Sequence, residues 1–375
     1  MLDTFFRPLL AVFKKDFIIW LRNPLSIVAS LVPILAILMI QGIGSGGGGA
    51  GQAVGRNPVA LVTLDHDSKG MQMRQILYQS KVFRLTDATP QQAKALMRNL
   101  QVVATITIPA DFTQRIEAHE STPLDVTINN LNLDFTDDIR RAVPDAITQF
   151  YQAQGGSSPL KVTLHEQDLR KQDIQLFQYS FLPLLVLLLI SSSLVTNSIA
   201  AAREWERSTI KELLLSPVGR LVLVTGKVLA GFTGTLLLGV LVFALSVWQS
   251  WILPPPGVYL GTCLLIMALI ALLGTGLGVA LGAMVQRIQP VTTTSVITAF
   301  FLFFLTGGIG VLAFEPIVLQ NIAAFDPLYY GIHALQMALF YNSSDQLGRD
   351  VLVLGLSSLV ALGLGGEALR HGVVN

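Results

Sequence analysis

The chain has 375 residues, of which 52% are hydrophobic and only 13% are charged, and its formal net charge is +1. Soluble globular proteins carry about 25% charged residues, so much of this surface must face something other than water. The small net charge gives no electrostatic basis for binding nucleic acid. The single cysteine, Cys263, excludes disulfides within the chain and argues against redox or zinc-cluster chemistry.

The uneven distribution of charge predicts the fold class. More than half of the Lys, Arg, Asp and Glu residues lie between Gly42 and Leu176, and long apolar runs occupy the rest. A membrane-spanning helix needs about 20 mostly apolar residues, and six segments qualify: Leu25–Ile43, Leu176–Ala202, Leu221–Trp248, Val258–Val285, Val291–Phe314 and Val351–Leu369. We therefore expect a polytopic α-helical membrane protein with six transmembrane helices. Residues 25–43 are interpreted as a retained anchor, because signal peptides have a shorter apolar region of about 7–15 residues.

Basic residues in short loops predict the orientation, since Lys and Arg accumulate on the cytoplasmic side. They precede the first span and follow the second, fourth and sixth: Arg7, Lys14, Lys15, Arg22, Arg203, Arg207, Lys211, Arg220, Arg287 and Arg370. All fall on one side if both termini are cytoplasmic. The insertion between helices 1 and 2, residues 44–175, is then extracytoplasmic. We expect a multi-pass protein of the plasma membrane, specifically of a bacterial inner membrane.

The insertion predicts an extracytoplasmic α/β domain, because strands alternate with helices after the glycine-rich tether Gly44–Gly51. The predicted order is strand Val59–Leu64, helix Ser68–Lys81, strand Val82–Thr86, helix Pro90–Leu100, strand Val102–Ile108, helix Ala110–Ala118, strand Leu124–Ile128, helix Asp134–Gln152 and strand Leu160–Leu164. Thr89 is expected to cap the helix that begins at Pro90. No catalytic or metal-binding motif occurs in the insertion, and recognition, gating and partner docking all stay open as its role.

The loop between the second and third spans, residues 203–219, carries the strongest local pattern. It reads Arg-Glu-Trp-Glu-Arg-Ser-Thr-Ile-Lys-Glu-Leu-Leu-Leu-Ser-Pro-Val-Gly. Thr209 and Glu212 have the spacing of a capping box, and apolar side chains then share one face up to Pro217. The pattern predicts a short amphipathic helix at the inner membrane surface, with an ordinary linker as the alternative.

This loop resembles that of the ABC type-2 permeases, the membrane subunits of ATP-driven exporters, which reads Arg-Glu-x-Glu-x-Gly-Thr-x-Glu-x-Leu and closes with Ser/Thr-Pro. Here Arg203, Glu204, Glu206, Thr209, Leu213, Ser216 and Pro217 match, while Ser208 and Lys211 depart from the pattern. The resemblance implies that the loop couples the chain to a separate ATP-binding subunit. The implied coupling residues are Arg203, Glu204, Glu206, Arg207, Thr209, Glu212 and Pro217.

The first segment, residues 1–24, is also similar to this family. Arg22-Asn-Pro24 ends an amphipathic helix, Phe5–Leu21, whose polar stripe includes Lys14 and Lys15. Such a helix is expected to lie in the membrane interface, with Lys14, Lys15 and Arg22 as its interfacial residues.

Two further regions resemble the family. Val59–Asp67, the strand ending Ile108-Pro-Ala-Asp-Phe112 and the strand around Val126 are similar to its large-ectodomain, drug-efflux-like branch. Residues 307–349 look like the family's outer re-entrant segment, in which Asp326 caps a helix from Pro327 to about Tyr341. The candidate outer-gate residues are Gly307, Gly308, Pro316, Asp326, Pro327 and Tyr330; simple anchoring at the interface is the alternative.

The sequence gives no energy source within the chain. Its Gly226-Lys227 pair is followed by Val228, and Leu221 stands where a phosphate-binding loop needs its first glycine. The chain is therefore not expected to be an enzyme or to hold a cofactor or metal. Acidic residues are lacking near the centres of the six spans, which disfavours an ion-coupled carrier. Lys227 lies about one turn inside its membrane entry and can extend to the interface.

The spans carry packing signals instead. Gly274, Gly278 and Gly282 recur every four residues, as do Gly231, Thr235 and Gly239, which favours close helix packing. Packing within one subunit and packing at a dimer interface both remain open. The resemblance implies two ATP-binding subunits and a second permease subunit, identical or similar, in a lipid bilayer. The alternative function is a membrane-anchored receptor or assembly scaffold whose extracytoplasmic domain binds a partner, and the cargo is not defined by the residues.

Overall fold

The structure is a computed structural model. It describes residues 2–22, 28, 56–99, 101–118, 120–130, 133–154, 162–168, 176–206, 220–249, 260–308, 312, 316–341 and 346–374. The described residues fall into two compact units. One contains those within 42–179 and 310–320, and the other those within 1–41, 180–309 and 321–375.

The first unit is an α/β domain whose elements follow the predicted order. The strands are β1 (Asn57–Thr63), β2 (Phe83–Asp87), β3 (Ala104–Ile108), β4 (Thr122–Ile128) and β5 (Val162–Asp168). The helices are α2 (Ser68–Gln79), α3 (Pro90–Arg98), α4 (Phe112–Glu117) and α5 (Leu133–Ala153). Each predicted strand and helix is confirmed, with ends that differ by at most four residues.

These strands form one mixed sheet of order β2-β1-β3-β4-β5. All neighbouring strands are parallel except β3 and β4, where Ile106 faces Val126 in antiparallel register. β1 is buried at nearly every position, as expected for a central parallel strand covered on both faces. β3 and β4 alternate between buried and half-buried residues, so only one face of each is fully covered.

The predicted start of α3 is confirmed in atomic detail. The Thr89 side chain accepts a hydrogen bond from the Gln92 N–H at 3.3 Å, and the Gln92 side chain accepts one from the Thr89 N–H at 2.9 Å. This reciprocal arrangement is a capping box, with Pro90 at the first helical position.

The second unit is helical, and its described part contains five helices long and apolar enough to cross a membrane. Four follow the predicted spans closely: α6 (Leu176–Glu206), α7 (Arg220–Trp248), α8 (Leu260–Val285) and α12 (Leu347–Val374). The fifth is α9 (Ile288–Leu305). The remaining helices of this unit are α1 (Leu2–Leu21) and α11 (Pro327–Gln336), the latter continued by a π-helical turn, Met337–Tyr341. The short helix α10 (Ile317–Ala323) begins within residues 310–320, which are assigned to the first unit, and ends in the second. The predicted first span, Leu25–Ile43, lies outside the described residues.

The helix α6 is the centre of this unit. In the most apolar stretch of α6, 94% of the residues are buried, against 22% of the residues in the corresponding stretches of α9 and α12. A helix that is apolar on all sides is covered either by other elements or by lipid, and α6 is covered by other helices of this unit. The exposed apolar side chains therefore lie on the surrounding helices, for example Leu241, Phe301 and Leu356.

The predicted fifth span, Val291–Phe314, is wrong at its C-terminal end. The helix α9 stops at Leu305, where Gly307 adopts φ 71° and its N–H bonds to the Phe304 carbonyl at 3.2 Å. The Gly308 N–H bonds to the Phe303 carbonyl at 3.4 Å. This pair of bonds is a Schellman motif, which terminates a helix even where the following residues are apolar.

Candidate functional site

The predicted coupling loop begins inside a helix. α6 continues through Arg203, Glu204 and Glu206, so the predicted end of the second span at Ala202 is four residues too early. The other coupling candidates, Arg207, Thr209, Glu212 and Pro217, lie outside the described residues, as does the capping box. The described geometry therefore concerns the start of the loop and the helices that hold it.

Lys227 joins three helices at this point. Its ammonium group bonds to the Glu204 carboxylate on α6 at 2.6 Å and to the Asp16 carboxylate on α1 at 3.1 Å. The side chains of Lys227, Asp16 and Glu204 are 17%, 13% and 12% exposed. Lys15 approaches Asp16 at 3.6 Å, so the four residues carry two positive and two negative charges. We call Lys15, Asp16, Glu204 and Lys227 the Lys227 cluster.

Lys227 is paired within the chain, which the sequence analysis did not foresee. Its ammonium is four-fifths buried and paired with two carboxylates, and the Gly226-Lys227 pair lies within α7 rather than in a loop. A cation in an apolar segment needs a partner, as does an acidic residue on a helix that packs against that segment. Breaking such a pair is costly, about 3–5 kcal/mol for a fully buried one. The single charged residue of the third span, Lys227, and the acidic Asp16 in the polar part of α1 were the signals for this contact.

Glu206 anchors the start of the loop to a fourth helix. Its carboxylate accepts a hydrogen bond from the Ile288 N–H at 2.7 Å, at the first residue of α9. The first turn of a helix has N–H groups without helical partners and a partial positive charge, and a carboxylate satisfies both. Glu204 and Glu206 thus both bond within the chain.

The first helix, α1, packs along α7. A side chain added at Gly226 would meet Val12 Cγ1 at 2.9 Å, and one added at Gly234 would meet the Trp20 ring at 2.9 Å. Glycines at these two positions therefore allow close approach of the two helices. The opposite face of α1 is exposed and carries large apolar and basic side chains: Phe6, Leu10, Lys14, Lys15, Ile18, Leu21 and Arg22.

The glycines of the fourth span pack against α6 of the same chain. A Cβ atom at Gly274 would meet Ser193 at 2.8 Å, and one at Gly278 would meet the Leu194 carbonyl oxygen at 2.7 Å. One at Gly282 would collide with the Ser198 carbonyl oxygen. The geometry of all three positions is that of packing within one subunit. Gly231, Thr235 and Gly239 likewise contact α6, at Asn197, Ser192 and Leu189.

A buried polar network accompanies this packing, and sequence reasoning missed it. The Ser193 hydroxyl donates to the Ala271 carbonyl of α8 at 2.6 Å. Asn197 donates to Thr275 on α8 at 3.2 Å, and Ser295 on α9 donates to Ser198 at 2.7 Å. The polar run 191–198 inside an otherwise apolar span was the available signal.

The outer-gate candidates occupy the ends of short elements. Gly307 and Gly308 terminate α9, and the Pro316 carbonyl accepts bonds from the first turn of α10. Asp326 caps α11 as predicted, because its carboxylate accepts a bond from the Leu328 N–H at 2.8 Å, with Pro327 at the first position. The Tyr330 hydroxyl donates to the Ala324 carbonyl at 2.8 Å, and its ring lies 5.6 Å from the Arg349 guanidinium. The predicted helix from Pro327 to about Tyr341 is observed, with a π-helical last turn.

A buried pair of side chains that the sequence analysis did not single out joins α11 to α12. His333 on α11 and Asp350 on α12 are 1% and 0% exposed, and His333 Nδ1 lies 2.5 Å from Asp350 Oδ2. Arg349 also approaches Asp350, at 3.2 Å. The described residues contain no cluster of three or more His, Cys, Asp or Glu side chains with metal-binding geometry.

A bundle of long apolar helices around a buried central helix is the architecture of a polytopic membrane protein. Residues 25–366 match the family model described as ABC-2 family transporter protein. The chain belongs to this family and is a membrane component of an ABC transporter. It is 18% identical over 328 residues to proteins from Escherichia coli K12 and O157:H7, each described as a probable multidrug ABC transporter permease, YbhR. The match covers 86% of this chain and 87% of each relative.

Proposed function

We propose that this chain is the permease subunit of an ABC exporter and receives mechanical work from a separate ATP-binding subunit through residues 203–219. The observation that carries the proposal is the anchoring of the start of this segment. Glu204 bonds to α7 and, through Lys227, is linked to α1, while Glu206 bonds to α9. A force applied to the segment therefore reaches three helices besides α6.

The proposal assigns indirect roles to the two glutamates. Because their carboxylates bond to Lys227 and to the start of α9, they hold the segment in place. Contact with the ATP-binding subunit is assigned to Arg207, Thr209, Glu212 and Pro217. Lys14, Lys15 and Arg22 lie on the exposed face of α1 and are assigned to the membrane interface.

The topology of the proposal has six spans, with residues 25–43 as the first, and places the α/β domain outside the membrane between spans 1 and 2. Both termini and residues 203–219 are then cytoplasmic in a bacterial inner membrane. A second permease subunit completes the pathway, and two ATP-binding subunits dock below it. Residues 307–349 are assigned to the outer gate, and the two short helices α10 and α11 within them are consistent with a segment that can rearrange. By analogy with the relatives, which are described as probable multidrug permeases, the proposed cargo class is drugs.

Purification of the tagged chain from its native membranes tests the proposal. An ABC ATP-binding subunit should co-purify in equal amount, and the complex should hydrolyse ATP in a vanadate-sensitive manner. Impermeant thiol reagents should label a cysteine at position 211 only after the membrane is opened, and a cysteine at position 94 in intact cells. Labelling of position 211 from outside would refute the assignment. Purification without any ATPase would instead favour the receptor or scaffold alternative.

A further inference from the structure

The Lys227 cluster constrains three helices to one another through a single cation. Asp16 belongs to α1, Glu204 to the end of α6 and Lys227 to α7, and the ammonium group bonds to both carboxylates. Each of the three side chains is at most 17% exposed. If α1 or the end of α6 moved relative to α7, a largely buried carboxylate would lose its cation, which is unfavourable.

The fit between α1 and α7 reinforces this constraint. Beside Lys227, an added Cβ atom at Gly226 would lie 3.2 Å from the Leu9 carbonyl oxygen and 3.0 Å from Val12 Cβ. Two turns further along α7, Gly234 lies against the Trp20 ring. Protein interiors that are this closely packed transmit displacement rather than absorb it.

We propose that Lys227 is a positioning residue for energy coupling, which makes α1, the end of α6 and α7 move as one body. A displacement of residues 203–219 then reaches the interfacial helix and the third span together. This inference rests on the proposed function, because a separate ATP-binding subunit must supply the displacement. It goes further by assigning the transmission to one lysine that lies outside the loop itself.

The measured quantity is a stimulation ratio, the ATP hydrolysis rate of the purified complex divided by that of its ATP-binding subunit alone. Lys227→Met keeps a long apolar side chain but removes the ammonium group. The variant complex should assemble, and its ratio should fall at least about fivefold, the lower end of typical coupling effects. Lys94→Met, which changes an exposed lysine of the α/β domain, should keep the wild-type ratio. An unchanged ratio for Lys227→Met overturns the inference.

A disulfide separates a positioning role from a loss of stability. Disulfides have Cβ–Cβ separations of about 3.5–4.5 Å. A Cβ atom added at Gly226 would lie 3.0 Å from Val12 Cβ, so the two positions are close enough for a bridge after a small outward shift. The pair Val12→Cys and Gly226→Cys is introduced with Cys263→Ala and oxidised by copper phenanthroline. Since α1 and α7 move together, the bridge should form and leave the ratio unchanged. A bridge that fails to form, or that abolishes the ratio, overturns the inference.

Asp16→Ala provides the rescue experiment, because it removes the carboxylate that links α1 to α7 and leaves Lys227 bonded to Glu204. The ratio should fall in this variant and return when the bridge is formed. If the bridge does not restore the ratio, the inference is overturned. If Lys227→Met does not assemble, the Asp16 variant with and without the bridge tests the inference in its place. Purification without an ATP-binding subunit refutes the proposed function. A working complex that is insensitive to both variants refutes only the role of Lys227.

Discussion

Glu206 and Ile288, which are separated by two membrane helices in the sequence, are joined by one hydrogen bond. The Ile288 N–H donates to Glu206 Oε2 at 2.7 Å, so the last described residue of α6 caps the first residue of α9. The contact is exposed, and its contribution to stability is therefore small, about 0.3–1 kcal/mol. Its consequence is positional, because it holds the described end of α6 against the start of α9.

Glu206→Lys should abolish the stimulation ratio of the complex. The lysine places a positive charge at the positive end of α9 and cannot accept the Ile288 N–H. The apparent melting temperature of the chain in detergent should change by only a few degrees, because the contact is exposed. Glu206→Gln, which still accepts this hydrogen bond, should retain most of the ratio. Full stimulation by Glu206→Lys would exclude a coupling role for this contact.

Gly282→Ala should destabilise the chain by about 1–3 kcal/mol, the usual cost of overpacking. The new methyl group would collide with the Ser198 carbonyl oxygen, which is backbone and cannot rotate away. Thermal unfolding in detergent measures the effect. Gly363→Ala on α12 is the matched control, because nothing lies within 4 Å of its added Cβ atom. Similar melting temperatures for the two variants would show that α6 and α8 are not packed this closely.

Apolar runs and capping residues allow most of this fold to be predicted. Long uninterrupted runs define α6, α7, α8 and α12, and the Thr89 and Asp326 caps place α3 and α11 because each cap depends on residues adjacent in sequence. The end of α9 was placed too late, because hydropathy continues past Gly307 while the backbone turns there. Local signals are thus sufficient for elements, and hydropathy alone misplaces their ends.

Contacts between distant residues explain why the candidate site was predicted only in part. The sequence singled out Glu204 and Glu206 by motif, but their partners, Lys227 and the N–H of Ile288, are chosen by helix packing. Asp16 was not selected, because an acidic residue beside two lysines is equally compatible with an exposed surface. Which face of α1 is buried depends on the glycines of α7, and no pattern within α1 reports that.

The buried His333–Asp350 pair should make α11 and α12 mutually dependent. His333→Ala leaves the Asp350 carboxylate, which is 0% exposed, without its partner on α11. Removing one member of a buried pair costs about 3–5 kcal/mol, so the apparent melting temperature in detergent should fall markedly. The double variant His333→Leu/Asp350→Leu should be the more stable of the two, since it leaves no buried charge. Equal destabilisation would contradict an interaction between the two side chains.

Asp65 should make the stability of the α/β domain depend on pH. Burial by itself would raise the pKa of Asp65, but hydrogen bonds from Thr113 and from the Asp67 N–H outweigh it and hold the pKa below 3.8. The carboxylate accepts the Asp67 N–H at 2.7 Å and the Thr113 N–H at 2.6 Å. Because the folded state lowers this pKa, the stabilisation is fully present above pH 3.8 and is lost as the pH falls through the folded value.

Asp65→Asn should therefore cost about 1–3 kcal/mol at pH 7, because its amide group faces an N–H donor that the carboxylate had satisfied. Hydrogen exchange of residues 57–79 in the full chain, compared between variant and wild type at each pH, measures the difference. The difference should be constant from pH 7 to pH 5 and shrink only below about pH 4, near the usual pKa of aspartate. Glu117→Gln, which changes an exposed carboxylate of the same domain, should show no such difference. A gap between Asp65→Asn and wild type that persists at pH 2 would show that the ionised carboxylate is not the stabilising group.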